Sequence, residues 1–162
     1  VKSIPELLHE HAFFDGLPEA TLELIAGCAV NVHFAPEEMI LATGGDADRF
    51  WVLRSGKVAL EVAAPGPGPI VIETIGPGEI LGVSWMLPPH RWSFDARAMD
   101  HTSAVSVDAA CLRGKCDADP VLGYELFKRF AALVYTRLQA TRLQLLDVYG
   151  NTRHTASGSH AT

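Results

Sequence analysis

The sequence predicts a mainly β protein: an eight-stranded, jelly-roll-like β-roll with N-terminal helices and a long C-terminal helix. Three observations carry this. Between about Val30 and Val107, short runs rich in Val, Ile, Phe and Trp alternate with Gly, Pro and Asp, too closely spaced for crossover helices. Two short helical patterns precede them. Behind them, from Pro120 to about Tyr149, lies a stretch with no further Pro and with Gly only at Gly123.

The first helical pattern is Ile4–His11. The second runs from Pro18 to Ala26, with Pro in its first turn and Leu22, Ile25 and Ala26 on one face. The strand candidates follow as VNVHF, EMILAT, DRFWVL, GKVALEVA, PIVIETI, EILG, FDARAM and TSAVSV. Gly44–Gly45 and Gly56 mark turns between them, where Asp46 and Asp48 are placed to bond nearby backbone amides. These positions read as structural. The PGPGP run at 65–69 cannot pair as a strand and reads as a hairpin loop.

In the C-terminal helix, Phe127, Ala131, Val134, Leu138, Thr141, Leu145 and Val148 recur at alternating steps of four and three, which is a heptad seam. Leu126, Phe130 and Leu133 flank that seam only in its first half. The first half must therefore cover two surfaces and the second half one. This predicts a helix that packs on its own β-domain early and then faces the same helix of a second copy, giving a homodimer. The alternative is a helix folded entirely onto its own roll. Residues 1–150 thus form one domain, with the helix at about 120–149. The small polar stretch NTRHTASGSHAT (151–162) reads as a disordered tail.

Composition narrows the function classes. A chain of 162 residues, 48% hydrophobic and 20% charged, suits one soluble domain. No apolar run approaches the roughly 18 residues a membrane span needs, and the N-terminus lacks a signal-peptide pattern. A net charge of −6 without a basic block argues against a nucleic-acid-binding surface dominated by phosphate contacts. Cys28, Cys111 and Cys116 are odd in number and lack zinc-type pairing, so they read as three reduced thiols in a cytoplasmic protein. None of the seven His forms an H-x-H pair inside the strands, and no Ser/His/Asp or Cys/His set has local context. The expectation is a non-enzymatic protein without a metal.

Helices, eight strands and a seamed helix together resemble the cyclic-nucleotide-binding domain family of bacterial catabolite-activator-type regulators and the regulatory subunit of the cAMP-dependent kinase. FFDGLPEATLELIA is similar to that family's opening helix. TGGDADRFWVLRSGKVALEV is similar to its G-D-x-A-D-x-F-Y hairpins, and IGPGEILG to the L-G-x-G-D-x-F-G segment leading into its phosphate-binding cassette. The resemblance covers roughly Ile4 to Tyr149. It implies a cassette in which a Gly, a short helix and a loop Arg hold the cyclic phosphate, while a Glu after the Gly takes the ribose hydroxyl.

Placed on this chain, the resemblance makes Gly82 the cassette glycine and Val83–Leu87 the short helix, ended by Pro88–Pro89. The amides of Val83, Ser84 and Trp85 would cradle an anion. Val83 stands where the Glu belongs and cannot accept from a ribose. Counted back from Ala98, Trp92 stands at the Arg position, followed by Ser93, while Arg91 lies one residue early. Arg91 is either a phosphate partner reached through a bulge or a solvated loop charge. Glu79 reads as a turn residue, and Asp95 and Arg97 read as facing solvent or each other. Trp85, His90, Trp92 and Phe94 either stack on a planar ligand or fill the vacated space.

The candidate ligand-binding set is therefore Gly82, Val83, Ser84, Trp85, Arg91, Trp92 and Ser93, for a cyclic nucleotide or another anionic molecule. A hydrogen bond to a charged group contributes about 1.5–3 kcal/mol, so losing the ribose acceptor weakens binding roughly 10- to 200-fold. The function expected is a regulatory or sensor module acting on a partner protein. The alternative is a degenerate domain without a nucleotide that serves as a dimeric assembly subunit. The chain ends at Thr162, soon after the long helix, so a DNA-binding helix-turn-helix is not expected within it.

Overall fold

In the computed structural model, which describes residues 1–157, all eight expected strands form, in two four-stranded antiparallel sheets. One sheet runs β1 (Ala29–Phe34), β8 (Thr102–Asp108), β3 (Arg49–Ser55), β6 (Ile80–Leu81). The other runs β2 (Met39–Leu41), β7 (Asp95–Ala98), β4 (Val58–Val62), β5 (Ile70–Ile75). The pairing is nested: first strand with last, second with seventh, third with sixth, fourth with fifth. That is the wrapping of a jelly roll. The PGPGP loop falls at its tip, between β4 and β5.

The strand sequences explain the packing. Residues 50–53 of β3 are apolar without interruption and are buried on both faces. In β7, Ala96 and Ala98 are buried in the core, alternating with the charged residues Asp95 and Arg97. Gly56 closes the β3–β4 turn at φ 89°, where a Cβ would lie 2.5 Å from the His101 carbonyl oxygen.

Helix α1 (Ile4–His9) starts at Ser3, whose hydroxyl accepts from the Glu6 amide while the Glu6 carboxylate accepts from the Ser3 amide. It ends two residues before the sequence pattern does. A 3-10 turn at Ala12–Phe14 then buries Phe14. Helix α2 (Glu19–Ala26) follows Pro18, and both helices pack on β1. The helical periodicity that begins after Cys111 in the sequence opens as a separate helix, α3 (Ala109–Ala118); Asp108 caps it by accepting from the Cys111 amide at 2.8 Å.

Helix α4 (Pro120–Ser157) is longer than its heptad pattern suggests. Residues 151–157, expected as tail, are helical, and 158–162 lie outside the described residues. Between Tyr149 and Ser157 nothing stops the helix: there is no Pro, and Gly150 alone costs about 1 kcal/mol. By internal contacts the chain divides into Val1–Tyr124 and a second unit starting at Glu125. Within the second unit, Leu126 and Phe130 are buried, while Val134, Leu138, Leu145 and Val148 of the seam are exposed. Among the described residues, no helix is long and apolar enough to cross a membrane.

The cysteine reading is corrected. Cys28 and Cys111 form a disulfide, leaving Cys116 as the free thiol. The register of β1 on β8, with Ala29 opposite Val107, brings together two residues 83 positions apart. Spacing along the chain could not show this, and an odd count concealed it. With it goes the argument that three reduced thiols mark the compartment.

Candidate functional site

The site is built where β6 ends. Leu81 is buried, and the chain then turns at Gly82 with φ 100°, a conformation that costs an L side chain about 1–2 kcal/mol. Space forbids a side chain there as well. A Cβ on Gly82 would lie 3.0 Å from the Trp92 ring and 3.4 Å from the Arg49 carbonyl oxygen.

Only part of the expected short helix forms. It is a single 3-10 turn, Ser84–Met86, closed by the Met86 amide donating to the Val83 carbonyl at 3.2 Å. Leu87 precedes Pro88 and is extended, as proline demands of the residue before it. The Trp85 side chain is fully buried and stacks on Phe50, with centroids 5.3 Å apart. Its backbone carbonyl accepts from Arg113 of α3 at 2.8 Å. Trp85 is thus core, and it ties the cassette turn to α3.

The loop from His90 to Trp92 lies along the β2–β3 turn like a short extra strand. Ala47 N–H donates to the His90 carbonyl at 2.8 Å, Trp92 N–H to Gly45 at 2.9 Å, and Gly44 N–H to Trp92 at 2.8 Å. Arg91 and Asp46 form an isolated bridge, and their side chains pair at 2.5 Å. The pair is open to solvent, the two side chains being 55% and 76% exposed. The structure therefore gives Arg91 a carboxylate partner from the turn, a third arrangement beside the phosphate partner and the solvated charge.

Trp92 is packed into this region. It is 7% exposed, 5.8 Å from Trp51 by ring centroids, and seated between Gly82 and Gly45. Ser93 and Phe94 are exposed, and Val83 and Ser84 are half-buried. The seven candidate residues thus share one region in different roles. Gly82, Val83 and Ser84 form the half-buried turn after β6, Trp85 and Trp92 are buried, Arg91 is paired with Asp46, and Ser93 is exposed.

Neighbouring charges depart from the sequence reading. Glu79 does hold a turn, accepting from the Gly76 amide at 2.6 Å. Asp95 and Arg97 face neither each other nor open solvent. Asp95 accepts from the Thr43 amide and hydroxyl at 2.7 and 2.9 Å. Arg97 pairs with buried Glu61 at 3.5 Å and donates to the Glu37 carbonyl at 3.0 Å. Glu61, Asp46 and Arg113 are the contributors that sequence reasoning missed. Only Glu61 carries a local signal, a lone carboxylate in the apolar run VALEV. Among the described residues, no group of three His, Cys, Asp or Glu side chains could hold a metal ion.

With this geometry, likeness to known proteins takes on meaning. The CRP-like cAMP-activated global transcriptional regulator of Mycobacterium tuberculosis is 24% identical over 143 residues, covering 88% of this chain. The chain spans 62% of that relative's length. A Geobacter metallireducens structure, provisionally named a cyclic nucleotide-binding protein, superposes with TM-score 0.75 at 29% identity, covering 83% of this chain and 97% of its own. A cyclic nucleotide-binding domain from Methylobacillus flagellatus gives TM-score 0.76 at 19% identity, covering 90% and 82%. Residues 31–119, more than half of the chain, match the cyclic nucleotide-binding domain profile. The nested strands, the Gly82 cassette and this match have one reading: the chain belongs to the cyclic nucleotide-binding domain family.

Proposed function

We propose that this chain is a non-enzymatic regulatory module whose cassette is closed by its own side chains and does not take cAMP or cGMP. The observation that carries this is Trp92, buried on Gly82 where the family places a phosphate-binding Arg. Asp46 supports it by pairing with Arg91, and Val83 by offering no ribose acceptor. Any ligand would be an anion on a more apolar body, held at the Val83 and Ser84 amides after Trp92 moves. The same filled space favours the second reading, an assembly subunit without a ligand.

Output from the module runs through α4. The exposed residues Leu138, Leu145 and Val148 lie on the heptad seam and suit a second copy of the same helix. The net charge of −6 over the whole chain favours a protein partner over nucleic acid. A cytoplasmic setting fits such a module, with the disulfide then open to cellular thiols.

Titration calorimetry against cAMP, cGMP and cyclic dinucleotides tests the reading. No cAMP binding tighter than about 1 mM is expected. Micromolar cAMP binding that disappears in Arg91→Ala would overturn it. Sedimentation tests the output: a dimer is expected, and Leu138→Glu with Leu145→Glu gives a folded monomer. A parent protein that sediments as a monomer at micromolar concentration would refute the seam.

A further inference from the structure

Helix α3 is held at three points. Its first turn is joined by the Cys28–Cys111 disulfide to the junction between α2 and β1. Lys115 Nζ donates to the Leu24 carbonyl near the end of α2 at 2.6 Å. Arg113 donates to the Trp85 carbonyl in the cassette turn at 2.8 Å. The helix leads through Asp119 into α4. One covalent and two polar ties thus meet on the element between the cassette and the output helix.

We propose that the Cys28–Cys111 pair is a reversible thiol–disulfide exchange site that sets how firmly α3 is held. The chemistry needs a dithiol. One of its thiolates attacks the Cys111 sulfur, forming a mixed disulfide and releasing Cys28 as a thiolate that takes up a proton. The second thiol of the reductant displaces Cys111 in the same way. Two electrons and two protons pass to the pair, and the dithiol leaves as its own disulfide.

Access and geometry both fit this exchange. Cys111 is partly exposed, which gives a reductant a sulfur to attack, whereas Cys28 is buried. Once the bond opens, the two cysteines are still kept near each other. Asp108 N–H donates to the Cys28 carbonyl at 2.8 Å while the Asp108 side chain holds the Cys111 amide. The sulfurs remain apposed and can close again. Cys116 does not compete, because its Cβ and backbone pack against Gly123 and burial pushes its thiol up. The site does not depend on any ligand in the cassette.

The test uses the full chain, purified oxidised and then treated with dithiothreitol without denaturant. Mass analysis after iodoacetamide should show two thiols gained on reduction and lost again on exposure to oxidised glutathione. Amide exchange should rise about tenfold or more across 109–118 and 26–30, with β3 unchanged. A Cys28→Ser/Cys111→Ser variant should show the fast pattern and no response to dithiothreitol. The proposal falls if the native protein yields no new thiols, if α3 exchange is unaltered by reduction, or if reduction unfolds β3. It falls equally if the double variant still responds.

Discussion

The β2–β3 turn and the cassette loop lie against each other but carry their information differently. In the turn, residues 42–48, the sequence pattern and the structure agree on the backbone: Gly44 adopts φ 83° and nothing crowds its missing side chain. In the cassette, Gly82 adopts φ 100° and is crowded by Trp92. One glycine answers to the chain's own geometry, the other also to a residue ten positions later. The turn also holds the cassette loop, because Asp46 pairs with Arg91 and the Gly45 carbonyl accepts from the Trp92 amide. A segment read as scaffold thus supplies partners to the cassette loop.

Substitutions can break this comparison. Trp92→Ala removes a buried indole from between two glycines and should cost about 3–5 kcal/mol in urea unfolding. A loss below about 1 kcal/mol would mean that the ring is not packed. Gly82→Ala combines a left-handed backbone with a clash and should cost roughly 2–4 kcal/mol. Gly44→Ala has the backbone cost alone, about 1–2 kcal/mol. Equal losses at the two glycines would erase the distinction between them. Asp46→Asn should shift stability by less than about 1 kcal/mol, since exposed pairs contribute little. Chemical denaturation of all four beside the parent protein measures the order.

The fold was legible because its signals are local. Alternating apolar runs gave all eight strands, and Gly56 sits at a turn that a Cβ could not enter. Helix α3 is not set apart from the helical stretch after Cys111 because Leu112 is its one large apolar side chain and Gly114 interrupts the pattern, while its Asp108 cap is a single residue. The cassette was legible as a place but not as a chemistry. Whether Arg91 meets a phosphate or a carboxylate depends on Asp46, which is separated from it by four strands of chain. The disulfide is unreadable for the same reason: its partners meet only once β1 pairs with β8.

The central claim is that Trp92 and the missing acceptor at Val83 close the cassette to cyclic nucleotides. Titrating cAMP into the parent protein beside a Val83→Glu/Trp92→Arg variant tests it directly. Each restored group contributes roughly 10- to 200-fold, so the variant should bind at least about a hundredfold more tightly than the parent. The parent itself should give no saturable heat below about 1 mM. Micromolar binding of cAMP by the unmodified protein would contradict the account.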